Sequence, residues 1–457
     1  MASLSALLIS LDSAVNISFP TITGAFSLAV SSIQWVVAGY VLTHASLLLG
    51  CGRLADLYGH GRLMTWGLLA SAVALAGCGS APSFGWLIAA RVGQGVGAAL
   101  VSGSAPALVT LAAPLEARGR ALGIFHMSVA TGYALGPLIG GMLVDGFGWR
   151  AVFWFRVLPA LLLAWVAAVK LPAFQHRGES HGFDLTGAVT LTASVACFVL
   201  ALSRIRALGA PSWEVISFLI ISVASFAGFI VTESRVSAPV VNLSLFRRPP
   251  FVIANLLTVF ANCARFAIGL LLPYYVIDIL RYPATIGGTL MLAPALMTTF
   301  AAPIAGRLSD RLGTARLSSL GLALEGLGLW MISRLDAQTD YFSLAAALGI
   351  VGLGLGVFET PNMSFVMGVV SRRQQGVAGS IANMMRTLGI VFGAAGWSML
   401  FDRRRQLYSK PESRDSLGFI PAFQHVFLIA ATLCLAAFVL SLFRKPEAVT
   451  KAAGSED

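Results

Sequence analysis

The sequence predicts an all-α polytopic membrane protein with fourteen transmembrane helices, arranged as two six-helix bundles with two further helices inserted between them. Three observations predict it. Of the 457 residues, 57% are apolar and only 11% charged, whereas soluble domains average about 45–50% apolar and about 25% charged; a water-soluble enzyme is excluded. The apolar residues gather in runs of about 20, the length that crosses a hydrocarbon core of about 30 Å. Motifs of the first half also recur, in the same order, in the second.

Taken in order, the runs cover residues 2–23, 33–53, 63–82, 85–111, 119–144, 150–171, 184–203, 213–232, 251–275, 284–305, 317–333, 342–370, 377–401 and 422–443. The first opens at Ala2 with no basic stretch ahead of it and no small-residue cleavage site, and it contains Asp12 and Pro20. It is expected to stay as a membrane helix and not to be removed as a signal peptide. An even number of spans returns both termini to one side, and the bases in the short gaps decide which. Arg53, Arg62, Arg118, Arg120, Arg307, Arg311, Arg372 and Arg373 share the side of the termini, which is therefore expected to be the cytoplasmic side of a cell membrane. Arg403, Arg404, Arg405, Lys410 and Arg414, together in the loop 402–420, are the exception. The formal net charge of +11 is read as topological anchoring and not as a nucleic-acid surface. The five cysteines lie in or beside apolar runs without CxxC spacing, so no disulfide framework and no zinc site is expected.

The repeat is carried by three pairs. GRLADLYGHGRL, Gly52 to Leu63, between the second and third runs reappears as GRLSDRLGTARL, Gly306 to Leu317, between the tenth and eleventh, an offset of 254 residues. Gly93, Gly95 and Gly97 in the fourth run match Gly352, Gly354 and Gly356 in the twelfth, an offset of 259. Arg118, Gly119 and Gly123 at the start of the fifth correspond to Arg373, Gly376 and Gly379 at the start of the thirteenth. Repeats of this kind build transporter halves. The predicted organisation is an N-terminal six-helix bundle over 1–172, a linker with the two extra helices over 173–249, a C-terminal six-helix bundle over 250–444 and a cytoplasmic tail over 445–457.

Charges inside the runs are the candidate functional groups, because an ionisable side chain at the bilayer centre costs about 2.5–3.5 kcal/mol on insertion scales. Asp12 lies about 17 Å along a helix from Met1, near the midplane. Its protonation there depends on hydration and neighbouring bases, which is what a proton carrier requires. Arg91 is too deep for a loop anchor and cannot release its proton; it is expected to tune Asp12 or another acid. Glu359 follows the second glycine run and is expected to face the interior, as a partner of Arg265 or Arg386, a site for a cationic substrate or a second proton site. Glu325 is expected to be a structural ion-pair partner, Asp145 and Asp278 to be solvated, and His44 and His126 to be packing residues.

These motifs resemble the major facilitator superfamily, and the count of fourteen is similar to its drug/proton antiporter branch, which carries two additional central helices. The resemblance spans nearly the whole chain and implies the major facilitator fold. Gly52, Arg53, Asp56 and Gly59, with Gly306, Asp310, Arg311 and Gly313 as the second copy, resemble the family's cytoplasmic loop signature, which implies gating. LDSAVNISFP, Leu11 to Pro20, is similar to the branch's first-helix motif. RVGQGVGAA, with Arg91, Gln94, Gly95 and Gly97, resembles the motif tied to proton coupling. In GYALGPLIGG, the residues Gly132, Gly136, Pro137, Gly140 and Gly141 look like the antiporter motif that marks exporters. Arg156 stands where that family has Asn. Together with the charges inside the runs, the resemblance leads to the expectation of proton coupling through Asp12, Arg91 and Glu359, and of a substrate cavity lined by Asn16, Gln94, Arg156, Arg265, Glu359 and Arg386.

The function expected is proton-coupled export of small amphipathic drugs or toxic compounds by alternating access. A dedicated exporter of one endogenous metabolite uses the same scaffold and stays open as the alternative. A transport-dead sensor or membrane enzyme is a third class; HExxH, GxSxG and P-loop sequences are all missing from the chain, so no enzyme and no ATP-driven pump is expected. No cofactor or metal is expected, protons being the coupling ion. The partners expected are a small-molecule substrate and the lipid bilayer, with no nucleic acid, and the chain is read as a monomer.

Overall fold

A computed structural model describes residues 1–112, 118–171, 185–208, 212–235, 243–370, 375–408 and 416–444. All regular elements among these residues are helical, which lets a chain in hydrocarbon satisfy its own backbone polar groups. The helices are α1 (Ala2–Ser10), α2 (Ala14–Ile17), α3 (Phe19–Ala25), α4 (Gln34–Tyr58), α5 (His60–Gly79), α6 (Phe84–Ala112), α7 (Arg118–Phe147), α8 (Ala151–Lys170), α9 (Leu185–Leu208) and α10 (Trp213–Arg235). They continue with α11 (Pro249–Tyr274), α12 (Ala284–Leu312), α13 (Thr314–Ile332), α14 (Tyr341–Gly368), α15 (Gln375–Tyr408) and α16 (Ser416–Leu442).

Ten helices among the described residues are long and apolar enough to cross a membrane, or eleven if the bent pair at the N-terminus is one span. The fourteen transmembrane helices expected are not reached. Helices α4, α9 and α13 also form but are not among the ten; in α13, Arg316 and Glu325 thin the apolar content.

The chain divides into two compact units, the first Met1–Val240, Ile268–Leu292 and Ala394–Gly418, the second Val241–Ala267, Ala293–Gly393 and Phe419–Asp457. In the first unit α6 packs on both α4 and α5, α5 on α8, and α7 on α1 and α2, while α9 and α10 pack on each other. Leu158, Trp165 and Val169 on α8 and Val223 on α10 stand exposed, an apolar surface of the kind that meets acyl chains. In the second unit α13 lies along α14, and Leu257, Ala261, Leu322, Phe358 and Ala437 form a core where α11, α13, α14 and α16 meet.

The repeat is visible in the backbone. Gly59 between α4 and α5 has φ 94° and Gly313 between α12 and α13 has φ 89°, a conformation that needs glycine, and the two are equivalent positions of the repeated loop motif. The helical glycines are equivalent too, but in a shifted register. A Cβ on Gly95 would sit 2.7 Å from the Tyr40 carbonyl of α4, and one on Gly97 2.6 Å from the Ser71 amide of α5. In α14, Gly352 abuts Pro294 of α12 and Gly354 abuts Glu325 of α13. By the neighbours they admit, Gly95 therefore corresponds to Gly352 and Gly97 to Gly354, two residues away from the sequence pairing. A GxGxG string repeats every second residue, so the slip leaves its letters matched.

Candidate functional site

The site begins with a break in the first helix. After α1 the chain makes a single 3-10 turn over Leu11–Ser13 before α2, and α3 leaves at 60° to the preceding segment. Hydroxyls drive part of this: Ser10 donates to the Ala6 carbonyl at 2.9 Å, Ser13 to the Ser10 carbonyl at 3.2 Å and Ser18 to the Val15 carbonyl at 2.7 Å, contacts that bend helices. Pro20 supplies no N–H to the Asn16 carbonyl of the preceding turn. Asp12 lies in the 3-10 turn and is buried.

Three side chains close on its carboxylate. Arg91 of α6 binds it with both terminal nitrogens, Nη1 to Oδ1 at 2.7 Å and Nη2 to Oδ2 at 2.9 Å. Gln94, one turn along α6 and so on the same face, donates Nε2 to Oδ1 at 2.8 Å. Arg156 of α8 donates Nη1 to Oδ1 at 2.9 Å. The cage is itself held: Arg91 Nε donates to the Val36 carbonyl at 2.9 Å, Arg91 Nη1 donates to Gln94 Oε1 at 2.7 Å, and the guanidinium stands 4.5 Å from the Tyr40 ring centroid. Arg91 is 2% and Arg156 1% exposed, so one carboxylate and two guanidinia leave a net positive charge inside the apolar interior. Two guanidinium groups this close match and exceed the charge of the carboxylate. Tyr40 also stacks on His44, whose Nε2 meets the Ser102 hydroxyl at 3.1 Å.

The first unit thus joins Asp12, Arg91, Gln94 and Arg156. Asn16, one turn beyond Asp12, is half-buried and is not one of its hydrogen-bond partners. Tyr40 and the Val36 carbonyl carry no sequence mark, being ordinary members of an apolar helix. The second unit joins Glu359 and Arg386, 3.2 Å apart and partly exposed, while Arg265 Nη2 donates to Asn262 Oδ1 at 2.7 Å. Glu325 departs from its expected ion pair: it is fully buried and neither carboxylate oxygen has a hydrogen-bond partner among the described residues.

The glycines of the GYALGPLIGG stretch seat the broken helix. A Cβ on Gly132 would stand 2.6 Å from the Leu7 carbonyl, one on Gly140 2.6 Å from the Ala14 carbonyl, and one on Gly136 would fall on the Ser13 hydroxyl. Gly141 abuts Ala284 of α12, and Gly288 abuts Pro137 within α7. Of the repeated loop motif, the Arg53, Asp56 and Asp310 side chains lie outside the described residues. Gly52 lies against Gly103, Gly306 has Thr360 nearby, Arg311 is exposed, and Gly59 and Gly313 make the two turns.

Asp145 is not simply solvated. It caps α12, accepting from the Ala284 amide at 2.9 Å, the Thr285 amide at 2.7 Å and the Thr285 hydroxyl at 2.6 Å, a charge-assisted arrangement at a helix N-terminus. Asp145→Ala is expected to destabilise the purified protein by about 1 kcal/mol in detergent unfolding, with Asp145→Asn retaining most of it; equal stability of the alanine variant would show that the cap contributes nothing.

Helices long and apolar enough to cross a membrane, with a buried carboxylate caged by two arginines at a break in the first, have the make-up of a polytopic membrane transporter. The chain belongs to the Major Facilitator Superfamily, whose family model matches residues 1–394 and 254–457. It is similar to the riboflavin transporter RibZ of Clostridioides difficile (strain 630), 28% identical over 431 residues covering 94% of this chain and 93% of that one. It is also similar to the multidrug resistance protein Stp of Mycobacterium tuberculosis (strain CDC 1551 / Oshkosh), 31% identical over 385 residues, 83% of this chain and 71% of that one. The tetracenomycin C resistance and export protein of Streptomyces glaucescens is 29% identical over 400 residues, 87% of this chain and 74% of that one. Among solved structures, a bacterial homologue of the human lysosomal transporter Spinster, inward-facing and occupied, shares the fold with a TM-score of 0.66 at 15% identity, covering 97% of this chain and 95% of that one.

Proposed function

We propose that this protein is a proton-coupled exporter of small amphipathic compounds, of the drug/proton antiporter branch, working by alternating access with both termini cytoplasmic. The observation that carries the reading is the Asp12 cage: a membrane carboxylate whose ionised form depends on Arg91, Arg156 and Gln94 gains and loses a proton as those partners close and open. The glycine seat of α7 and the resistance proteins among the relatives support export over import. In this mechanism a proton arriving from outside neutralises Asp12, frees the two guanidinia and lets the substrate leave. Glu359 and Arg386 act as a substrate-facing pair, and the repeated loop motif gates the return.

A dedicated metabolite exporter is the second reading. It is favoured by one observation: the riboflavin transporter aligns with this chain almost end to end, 94% of one and 93% of the other. Proteoliposomes with an imposed pH gradient, loaded in parallel with a fluorescent lipophilic cation and with riboflavin, separate the two. Gradient-driven efflux of the cation, at least about tenfold lower in Asp12→Asn, is the expected result. Efflux of riboflavin alone would favour the second reading, and an Asp12→Asn protein as fast as wild type would remove Asp12 from the proton path.

A further inference from the structure

The second unit holds a carboxyl group that the reading above does not use. Glu325 stands midway along α13, its backbone pressed against Gly354 of α14. It is 0% exposed, and neither oxygen has a hydrogen-bond partner among the described residues. Its surroundings are apolar on one side, one helical turn away, where Leu257, Ala261, Leu322, Phe358 and Ala437 meet. The charged or titratable groups close enough to act on it are Arg265 on α11 and Glu359 on α14. Cys434 on α16 is within reach of it, as is Cys263 on α11 of Cys434.

An ionised carboxylate without a donor is not sustained in such a place; the group neutralises instead. The carboxyl of Glu325 and that of Asp12 therefore occupy opposite environments, one without donors and one with four donated hydrogen bonds. Environments that push two carboxyls apart mark which is the acid and which the base. What distinguishes Glu325 from a permanently neutral packing residue is the company of Arg265, a cation able to match its charge, and of Glu359, a carboxylate bridged to Arg386 at 3.2 Å and open to solvent at 28% of its side-chain surface.

We propose that Glu325 is a second proton-binding site, carrying a proton in this conformation and releasing it to water in another, with Arg265 matching the charge left behind. In release the O–H bond of Glu325 breaks, the proton passes to a water molecule, and the electron pair stays on the carboxylate. The proposal rests on proton coupling as the mode of action, but its test needs no transported compound.

The experiment is infrared spectroscopy of the full-length protein in lipid, in light and heavy water, as pH is raised from neutral to strongly alkaline. Wild type is expected to show, at neutral pH, a protonated-carboxyl stretch that shifts in heavy water, vanishes reversibly at alkaline pH, and is missing in Glu325→Gln. Arg265→Gln, which removes the matching cation, should keep that band to a pH higher by about one unit or more, a change a merely structural role would not produce. A spectrum unaltered by Glu325→Gln, or a Glu325 band that persists through the whole titration, overturns the proposal. If the band behaves as expected while lipophilic-cation efflux fails, the proton site stands and the drug-export reading falls.

Discussion

Asp12→Ala is expected to destabilise the protein by about 3–5 kcal/mol, the cost of leaving a buried charge without its partner. The loss falls unevenly on the two arginines. Arg91 keeps the Val36 carbonyl, Gln94 and the Tyr40 ring. Arg156 keeps less, the rings of Phe153 and Phe155 at 6.0 and 5.9 Å from its guanidinium: its Nε and Nη2 already lack acceptors among the described residues, and Nη1 donates to Asp12. The double variant Asp12→Ala/Arg156→Met is therefore expected to recover much of the lost stability, since an apolar side chain of similar length fills the space without a charge. Thermal unfolding of the four proteins of this cycle in detergent measures the coupling between the two residues. A single variant as stable as wild type would mean that Arg156 finds another acceptor when Asp12 is gone.

Gly136→Val is expected to abolish transport while lowering stability by about 1–3 kcal/mol, the range for overfilling a packed interior. The new Cβ falls on the Ser13 hydroxyl and lies 3.0 Å from the Ala14 amide, so α7 and the 3-10 turn must separate. That turn carries Asp12, and the carboxylate moves with it. Because bidentate bonding to Arg91 tolerates little displacement, the functional loss should exceed the stability loss. Gly136→Ala combined with Ser13→Gly removes the collision from the other side and is expected to restore transport that Gly136→Ala alone reduces. Failure of the pair to restore it, in a folded protein, would show that the glycine does something other than admit the neighbouring turn.

Much of the site could be read from the chain because polar residues stand out in apolar runs. Asp12, Arg91 and Gln94 were conspicuous for that reason, and the three-residue spacing of Arg91 and Gln94 already set them on one face of a helix. Arg156 was equally conspicuous, yet no spacing says that a residue on α8 closes on a carboxylate 144 positions earlier. Tyr40 was invisible, and Asp145 looked solvated because its acceptors' partners, the first amides of α12, are backbone groups with no letter of their own. For the fold, helical class and the repeat were legible. Span number was not: α13 carries Arg316 and Glu325, which hydropathy penalises and packing accommodates. The two-residue slip of the glycines was hidden for a different reason, since only their neighbours, Tyr40 against Pro294 and Ser71 against Glu325, tell the positions apart.

The caged carboxylate also has an electrical side. With Asp12 ionised the trio holds one elementary charge, and with Asp12 neutral it holds two, at a depth where the membrane field falls. A charge carried across the whole field exchanges about 2.3 kcal/mol per 100 mV, so a displacement through about a fifth of it exchanges about 0.5 kcal/mol for one charge and about twice that for two. Under the proposed mechanism, the conformational equilibrium would be tied to voltage as well as to pH. A negative interior favours whichever state draws the arginines inward, and the pull doubles when the proton arrives. Capacitive current from the purified protein in a planar bilayer, present without any substrate, is the direct signature of that buried charge in motion.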